Sequence, residues 1–198
     1  MSACRMLVRD DTSMGEFERR LVFSDTVTPV SLSTGDKATC HDHMLAAFGQ
    51  YEAAVGRSDW RTALFAGARS VLMARFAGSL GHCAEACVRL AALLLRTHKR
   101  GVTRIGESET LKLALDMATA AVTVLRTMSS RTEDQERCEH QALNTIYLVH
   151  VESGRPEEAK RTAREHAMRL TSGAIRPEVA TPAVSQMVLS RTRTGATA

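Results

Sequence analysis

Residues 142–159 of this chain restrict its fold more than any other stretch, because they predict a helix, a tight turn and a second helix. Gly154 fits the position after a helix C-terminus, where the backbone often turns left-handed. Pro156 fits the first turn of the next helix, where its missing N–H costs little. Apolar residues on the first helix follow the spacing of one buried face: Leu143, Ile146, Tyr147 and Val149. The segment therefore predicts a hairpin of two antiparallel helices.

The rest of the chain favours more hairpins of the same kind. No proline interrupts residues 41–155, and only 4% of the residues are aromatic, which suits close helix-on-helix packing. We therefore predict an all-α fold, a stack of antiparallel helical hairpins (an α-solenoid) of about seven helices. The predicted helices span residues 41–56, 59–78, 83–101, 108–128, 132–153, 156–171 and 178–192.

The two ends of the chain differ from this pattern. Residues 1–40 mix β-branched residues with Ser, Thr, Asp, Pro and Gly, which predicts an extended or irregular N-terminal arm with room for one short helix at residues 14–21. Such an arm packs along the helical body or reaches to a neighbouring molecule. The helical repeat domain then covers residues 41–192, and residues 193–198 form a loose tail.

An internal repeat links the first and last hairpins. Residues 46–63 align with residues 142–159, a separation of 96 positions, or twice 48, which places a middle copy near Leu111. The chain resembles the tetratricopeptide repeat family in the small and aromatic positions of residues 142–150, in Gly154 and in residues 157–159. The resemblance covers about residues 42–171 as three hairpins. It implies a right-handed superhelix whose concave face is lined by the first helix of each pair.

The same resemblance indicates which side chains would line that face. Some members of the family clamp an acidic peptide terminus with an asparagine and lysines, but here the asparagine position holds Leu148 or Glu52, so that clamp is not expected. The alternative for the mapped residues is packing against neighbouring helices. The mapped residues are the predicted partner contacts: Leu45, Phe48, Glu52, Gln141, Asn144 and Leu148.

Charge is concentrated towards the C-terminus. The net charge is +4, and residues 155–198 alone hold eight basic and four acidic residues. A solvated helix face explains this, and an RNA-associated subunit of a ribonucleoprotein or mitochondrial complex is the alternative, although aromatic residues for base stacking are scarce there. The predicted basic patch consists of Arg155, Lys160, Arg161, Arg164 and Arg169.

Cysteine use and hydropathy bear on the compartment. The five cysteines are odd in number and form no dense framework, and no signal-peptide-like or 18-residue apolar stretch is present. We therefore expect an intracellular, reducing environment, cytoplasmic or mitochondrial, and no membrane span.

Clusters that suggest chemistry are few. The residues Cys40–His41–Asp42–His43 are metal-like, but two histidines two positions apart diverge on a helix. Cys83 and Cys87, with His82 and the Cys138–His140 segment, act more simply as small apolar residues in a tight helix crossing. The chain has no glycine-rich phosphate loop, G-x-S-x-G or H-E-x-x-H motif.

These observations predict a non-catalytic adaptor or scaffold subunit that binds protein partners within a larger assembly, without a metal or cofactor. Besides the RNA-associated alternative, a regulatory domain that senses a small ligand between its helices stays open.

Overall fold

The computed structural model describes residues 2–102 and 106–172, and every regular element in these ranges is helical. The all-α prediction is therefore confirmed for this part of the chain. The elements, in order, are α1 (Ser2–Val8), α2 (Glu16–Phe23), a 3-10 helix (Pro29–Ser31), α3 (Thr34–Gly56), α4 (Trp60–Ala77), α5 (Leu80–Lys99), α6 (Glu107–Thr127), α7 (Glu133–Glu152) and α8 (Pro156–Thr171).

The long helices pair in the order that the sequence predicts. α3 packs on α4, α5 on α6 and α7 on α8, while α4 also packs on α5 and α6 on α7. Each helix therefore contacts the one before and the one after it along the chain. This arrangement confirms the predicted stack of helical hairpins, and the central helix α4 is buried on all sides from Ala66 to Ala74.

The first helices of successive hairpins lie side by side. α5 packs on α7 as well as on its own hairpin partner. The Lys99 Nζ lies 2.7 Å from a carboxylate oxygen of Glu152, so the C-terminal ends of these helices meet. At the other end, a Cβ added to Gly81 would lie 3.0 Å from Gln135 Nε2. α5 and α7 therefore run parallel and nearly in register.

Tight turns reverse the chain within and between the hairpins. Gly154 has a φ of 65°, which confirms the left-handed C-terminal turn predicted there. Gly78 and Gly101 adopt the same conformation, with φ values of 74° and 64°. At the first turn the left-handed residue is Ser58, with a φ of 58°, two positions beyond the glycine that ends α3.

The prediction for residues 1–40 is right for one element and wrong for the others. α2 matches the short helix predicted at residues 14–21, but α1 and the start of α3, which begins at residue 34 rather than 41, lie where extended or irregular structure was predicted. Val8 and Val22 are buried on α1 and α2, where tertiary packing overrides their weak local preference, whereas Val30 is 91% exposed. At the start of α3, Ser33 Oγ accepts the N–H of Asp36 (3.1 Å) and the Asp36 carboxylate accepts the N–H of Ser33 (3.3 Å), a capping box.

The N-terminal helices belong to the main core. α1 packs on α4. The Cys4 Sγ of α1 lies 3.7 Å from the Met117 Sδ of α6, and both side chains are buried. α1 therefore contacts the second helices of two successive hairpins, so the alternative in which the N-terminal region packs along the helical body is the one observed.

Two further predictions, the seventh helix at residues 178–192 and the loose tail at residues 193–198, lie outside the described residues. Within residues 2–102 and 106–172, no helix combines the length and the apolar character needed to cross a membrane.

Candidate interaction face on the first helices

One surface of the stack is made by α3, α5 and α7, and α5 lies in its middle. On α3, exposed residues recur at one helical spacing, at Leu45, Gly49 and Glu52. The Tyr51 hydroxyl of α3 donates a hydrogen bond to the Arg89 carbonyl oxygen of α5, over 3.2 Å. Burial raises the pKa of this tyrosine, so the hydroxyl keeps its proton at neutral pH. This bond fixes the middle of α3 against the middle of α5.

The Arg89 side chain joins the two helices at the surface. Its guanidinium pairs with Glu52 on α3 and with Glu85 one turn earlier on α5, the second pair at 2.7 Å. It also lies over the Phe48 ring, 5.0 Å from the ring centre. The two carboxylates raise the pKa of the guanidinium against the opposing effect of burial.

The central helix adds its own row of surface side chains. Ala92 and Arg96 are exposed on α5, one and two turns beyond Arg89. Arg96 has no ion pair within the described residues. Ala92 adds only a methyl group to this row.

The third row lies on α7. Burial, followed by the charge of Glu85, raises the pKa of the Cys138 thiol to about 11. That effect shows that this part of α7 lies beside the acidic turn of α5. Gln141 is exposed next on the same helix, while Asn144 and Leu148 are half-buried. We call the combined surface the first-helix face; its residues are Leu45, Phe48, Glu52, Arg89, Ala92, Arg96, Gln141, Asn144 and Leu148.

The six predicted partner contacts therefore lie on two helices that flank α5. Leu45, Glu52 and Gln141 are exposed, and Phe48 and Leu148 pack partly against the core. The packing alternative thus holds in part for these last two residues. Whether any of the six touches a partner stays a prediction. The α5 residues between them were missed, because the middle repeat lacked a tight turn to align.

The predicted basic patch on α8 divides into free and paired side chains. Arg155, Arg161 and Arg164 are exposed. The Lys160 Nζ instead lies 2.8 Å from Glu157, and the Arg169 Nη2 lies 2.7 Å from the buried Glu139. The i,i+4 spacing on α8 would also allow Glu157–Arg161 and Glu165–Arg169 pairs. Glu157 instead pairs with Lys160, and Glu165 pairs with Arg126. Arg169 is therefore part of an internal cluster and not of a free basic surface.

That internal cluster surrounds Glu139, which is completely buried on α7. Its carboxylate accepts from Arg169, from Arg131 and from Arg126, whose Nε lies 3.2 Å away. Burial would raise the pKa of Glu139, but the hydrogen bonds from Arg169 and Arg131 outweigh it and hold the pKa below its ordinary value. A second ion pair, from Arg126 to Glu165, ties the cluster to α8.

A pair of buried histidines lies next to this cluster. His166 Nε2 on α8 is 2.8 Å from His140 Nδ1 on α7, and each histidine is only 3% exposed. Burial lowers the pKa of both rings, and the neighbouring His140 helps to lower that of His166 to about 4. Both rings are therefore neutral at pH 7, with one N–H shared between them.

The metal-like sequence clusters are separated in space. The His41 ring lies edge-on to His82, with 5.4 Å between ring centres. The His43 ring instead stacks on Phe17 at 5.5 Å and places its Nδ1 3.5 Å from Glu18. The two histidines thus diverge, as their spacing on a helix predicts. Within the described ranges, no group of three or more Cys, His, Asp or Glu side chains is placed to hold a metal ion.

The remaining cysteines lie among apolar neighbours. Cys4, Cys40 and Cys87 are buried, and burial raises the pKa of Cys4 and Cys40 to about 11. A hydrogen bond with Cys87 lowers the pKa of the partly exposed Cys83 and raises that of Cys87. The two cysteines are four positions apart, so they lie on the same face of α5.

Comparisons with protein-family models, with curated proteins and with solved structures give no match to this chain.

Proposed function

We propose that this chain is a non-catalytic adaptor or scaffold subunit that binds a partner protein through the first-helix face. The observation that carries this proposal is the side-by-side arrangement of α3, α5 and α7. Three first helices present their outer rows of side chains on one surface, and contacts of Arg89 and Lys99 hold the rows in place. A partner segment that crosses the rows would meet all three hairpins.

The chemistry of this surface also supports a protein partner. It combines an exposed leucine at residue 45 with partly exposed Phe48 and Leu148, and it leaves the Arg96 guanidinium without an ion pair. Protein interfaces typically combine apolar and aromatic anchors with arginine. The partly buried anchors are already oriented by their own packing, which lowers the entropy lost on binding.

Membership of the tetratricopeptide repeat family is part of this proposal. The resemblance implies that the first helix of each pair lines a shared surface, and a superhelix with a concave side would give that surface its curvature. Repeats with a period near 48 would correspond to hairpins α3–α4, α5–α6 and α7–α8.

The test is co-purification with matched surface variants of the full chain. The variants Leu45→Arg and Ala92→Arg add a bulky charge on the first-helix face, while Met168→Arg adds one to α8, where the native side chain is 63% exposed. We expect one partner to co-purify at a fixed ratio with the wild type and with Met168→Arg, and to be lost from both face variants. A partner retained by the face variants, or an isolated monomer in cell extract, would overturn the proposal.

A further inference from the structure

A second surface lies where the first helices end, and it carries charges that the first-helix face does not explain. The Lys99–Glu152 pair joins the C-termini of α5 and α7. The Arg100 guanidinium lies over the Trp60 ring at 4.7 Å, which joins the end of α5 to the start of α4. The C-terminal ends of α3, α5 and α7, with the adjoining start of α4, therefore form one edge. We call it the turn edge, and its exposed arginines are Arg57, Arg61, Arg100 and Arg155.

None of the four turn-edge arginines has an ion pair within residues 2–102 and 106–172, whereas Arg69, Arg89 and Arg126 each pair with carboxylates. Other exposed arginines, such as Arg75, Arg161 and Arg164, also have no ion pair in these ranges. The turn edge differs from them because its four arginines lie at adjoining helix ends. Part of this pattern is local, because basic residues stabilise the negative C-terminal end of a helix. That local effect does not account for Arg61, which lies in the first turn of α4, where a positive charge is unfavourable.

Carboxylates near the turn edge neutralise only part of its charge. Glu152 is paired with Lys99. Hydrogen bonds from Thr62, and then the charges of Arg57 and Arg61, lower the pKa of Asp59, so this carboxylate offsets part of the charge of those two arginines. The other acidic residues begin the second helices, on the α4–α6–α8 side of the edge, where they complement the positive helix ends: Glu107, Glu109, Glu157 and Glu158. The side formed by the ends of the first helices is therefore predominantly basic.

Two of the arginines are oriented by aromatic rings. Arg100 lies over Trp60, and Arg61 lies over Phe65 at 5.4 Å. A guanidinium that contacts a ring through cation–π attraction still has N–H groups to donate, and these match the two oxygens of a carboxylate. The same contacts cover one face of each ring, which leaves the turn edge poorly suited to stack nucleic-acid bases.

We propose that the turn edge binds an acidic polypeptide segment rich in glutamate or aspartate. Packed helices lie 8–10 Å apart, so the edge from α3 to α7 spans roughly 20 Å. An extended segment of about six residues covers that length. Side chains on such a segment reach arginines from all three hairpins, so binding depends on the intact stack.

The test uses the full chain and short labelled probes at low salt. The probes are a hexaglutamate peptide, a hexaglutamine peptide and a six-nucleotide single-stranded DNA, followed by fluorescence anisotropy. We expect hexaglutamate to bind best, hexaglutamine not to bind, and affinity for hexaglutamate to fall as salt is added. Each exposed pair contributes weakly, so the double variant Arg61→Gln/Arg100→Gln should lose about tenfold in affinity.

Two control variants test whether hexaglutamate binding depends on the turn edge and not on overall charge or on the first-helix face. Arg75→Gln changes an exposed arginine near the opposite end of α4 and should leave hexaglutamate binding unchanged. Leu45→Arg should also leave it unchanged, whether or not it abolishes the partner of the first-helix face. Equal loss in Arg75→Gln, tighter binding of the oligonucleotide, or no binding of hexaglutamate by a folded wild-type chain would each overturn the proposal. Circular dichroism of each variant shows that it is folded.

Discussion

Arg69 on α4 holds both carboxylate oxygens of Glu18 on α2, with its Nη2 2.9 Å from each of them. The two side chains are almost fully buried. The Nη1 of the same arginine donates to Ser13 Oγ at 3.0 Å and to Gln50 Oε1 at 3.1 Å. One buried guanidinium therefore joins α2, the loop before it, α3 and α4.

Removing only the carboxylate should destabilise the whole chain. Glu18→Leu leaves the buried Arg69 charge with only the more distant Asp11 carboxylate, 3.8 Å away, as a counter-ion, so we expect the free energy of unfolding to fall by about 3–5 kcal/mol in urea titrations. The double variant Glu18→Leu/Arg69→Leu should lose less than the single variant, because the buried guanidinium is removed and Asp11 keeps its hydrogen bonds from Ser13. Glu16→Gln, at an exposed position of the same helix, is the control and should stay within about 0.5 kcal/mol. Equal losses in the single and double variants would contradict this account.

This ion pair also shows why part of the N-terminal region was predicted incorrectly. The partners lie 51 residues apart, so no local pattern reveals them. A signal exists on α4, where Arg69 interrupts a run of buried residues and so requires a buried acidic partner. The turns were predictable because glycine and proline act locally. The helices of the first 33 residues depend on contacts with α4 and α6, which a local pattern does not contain.

A close approach between helices makes Gly67 sensitive to size. A Cβ added there would lie 3.3 Å from Leu90 Cδ1 and 3.4 Å from Tyr51 Cδ2, where α4 meets α5 and α3. Gly67→Leu should overpack this contact and cost about 1–3 kcal/mol in unfolding free energy. Gly49→Ala, on α3 with nothing within 4 Å of its added Cβ, should instead stabilise by up to about 1 kcal/mol. Thermal unfolding of both variants checks the contrast, and a neutral Gly67→Leu would show that the contact is looser than described.

The first turn contains a strained residue that glycine would relieve. Ser58 has a φ of 58°, a conformation that costs an L-residue roughly 1 kcal/mol. Ser58→Gly should therefore raise the unfolding free energy by up to about 1 kcal/mol, reduced by the greater freedom of glycine in the unfolded chain. Gly154→Ala, at a φ of 65° in the equivalent turn of the last hairpin, should lower it. Opposite shifts in melting temperature check the pair, and shifts of the same sign would argue against backbone strain as the cause.

The residues predicted for the first-helix face lie on α3 and α7, and none was predicted on α5. Residues on α3 and α7 followed from aligning the two hairpins that have tight turns. The α5 row, with Arg89 and Ala92, belongs to the hairpin whose helices are joined by the longer connection over residues 100–106. Without a turn to fix the alignment, the register of that copy cannot be assigned from the residues alone. The Arg89 contacts with Glu52 and Phe48 depend on that register, so they become visible only in three dimensions.

Acid should weaken the packing of α8 on α7 through the histidine pair. Burial lowers the pKa of His166 from 6.5 to about 4, so the folded state favours the neutral ring. In the unfolded chain His166 becomes protonated as the pH falls below about 6.5, whereas in the folded chain it stays neutral until the pH approaches 4. Stability from His166 is therefore complete above pH 6.5 and is lost as the pH falls towards 4. The loss should reach about 2 kcal/mol at pH 5.

The neighbouring groups set the range in which this effect can be isolated. The pKa of Glu139 lies below its ordinary value of 4.5, so protonation of Glu139 destabilises the fold only at lower pH. The charge of Glu165 opposes the lowering of the His166 pKa. Urea midpoints measured between pH 7 and 5 should therefore fall in the wild type and fall less in His166→Gln, whose amide keeps a hydrogen bond to His140 without gaining charge. His41→Gln, on the partly exposed side of α3, should follow the wild type. If the stability of His166→Gln fell with pH in parallel with that of the wild type, the acid sensitivity would lie elsewhere. The buried pair would then contribute no difference in proton binding between the folded and the unfolded chain.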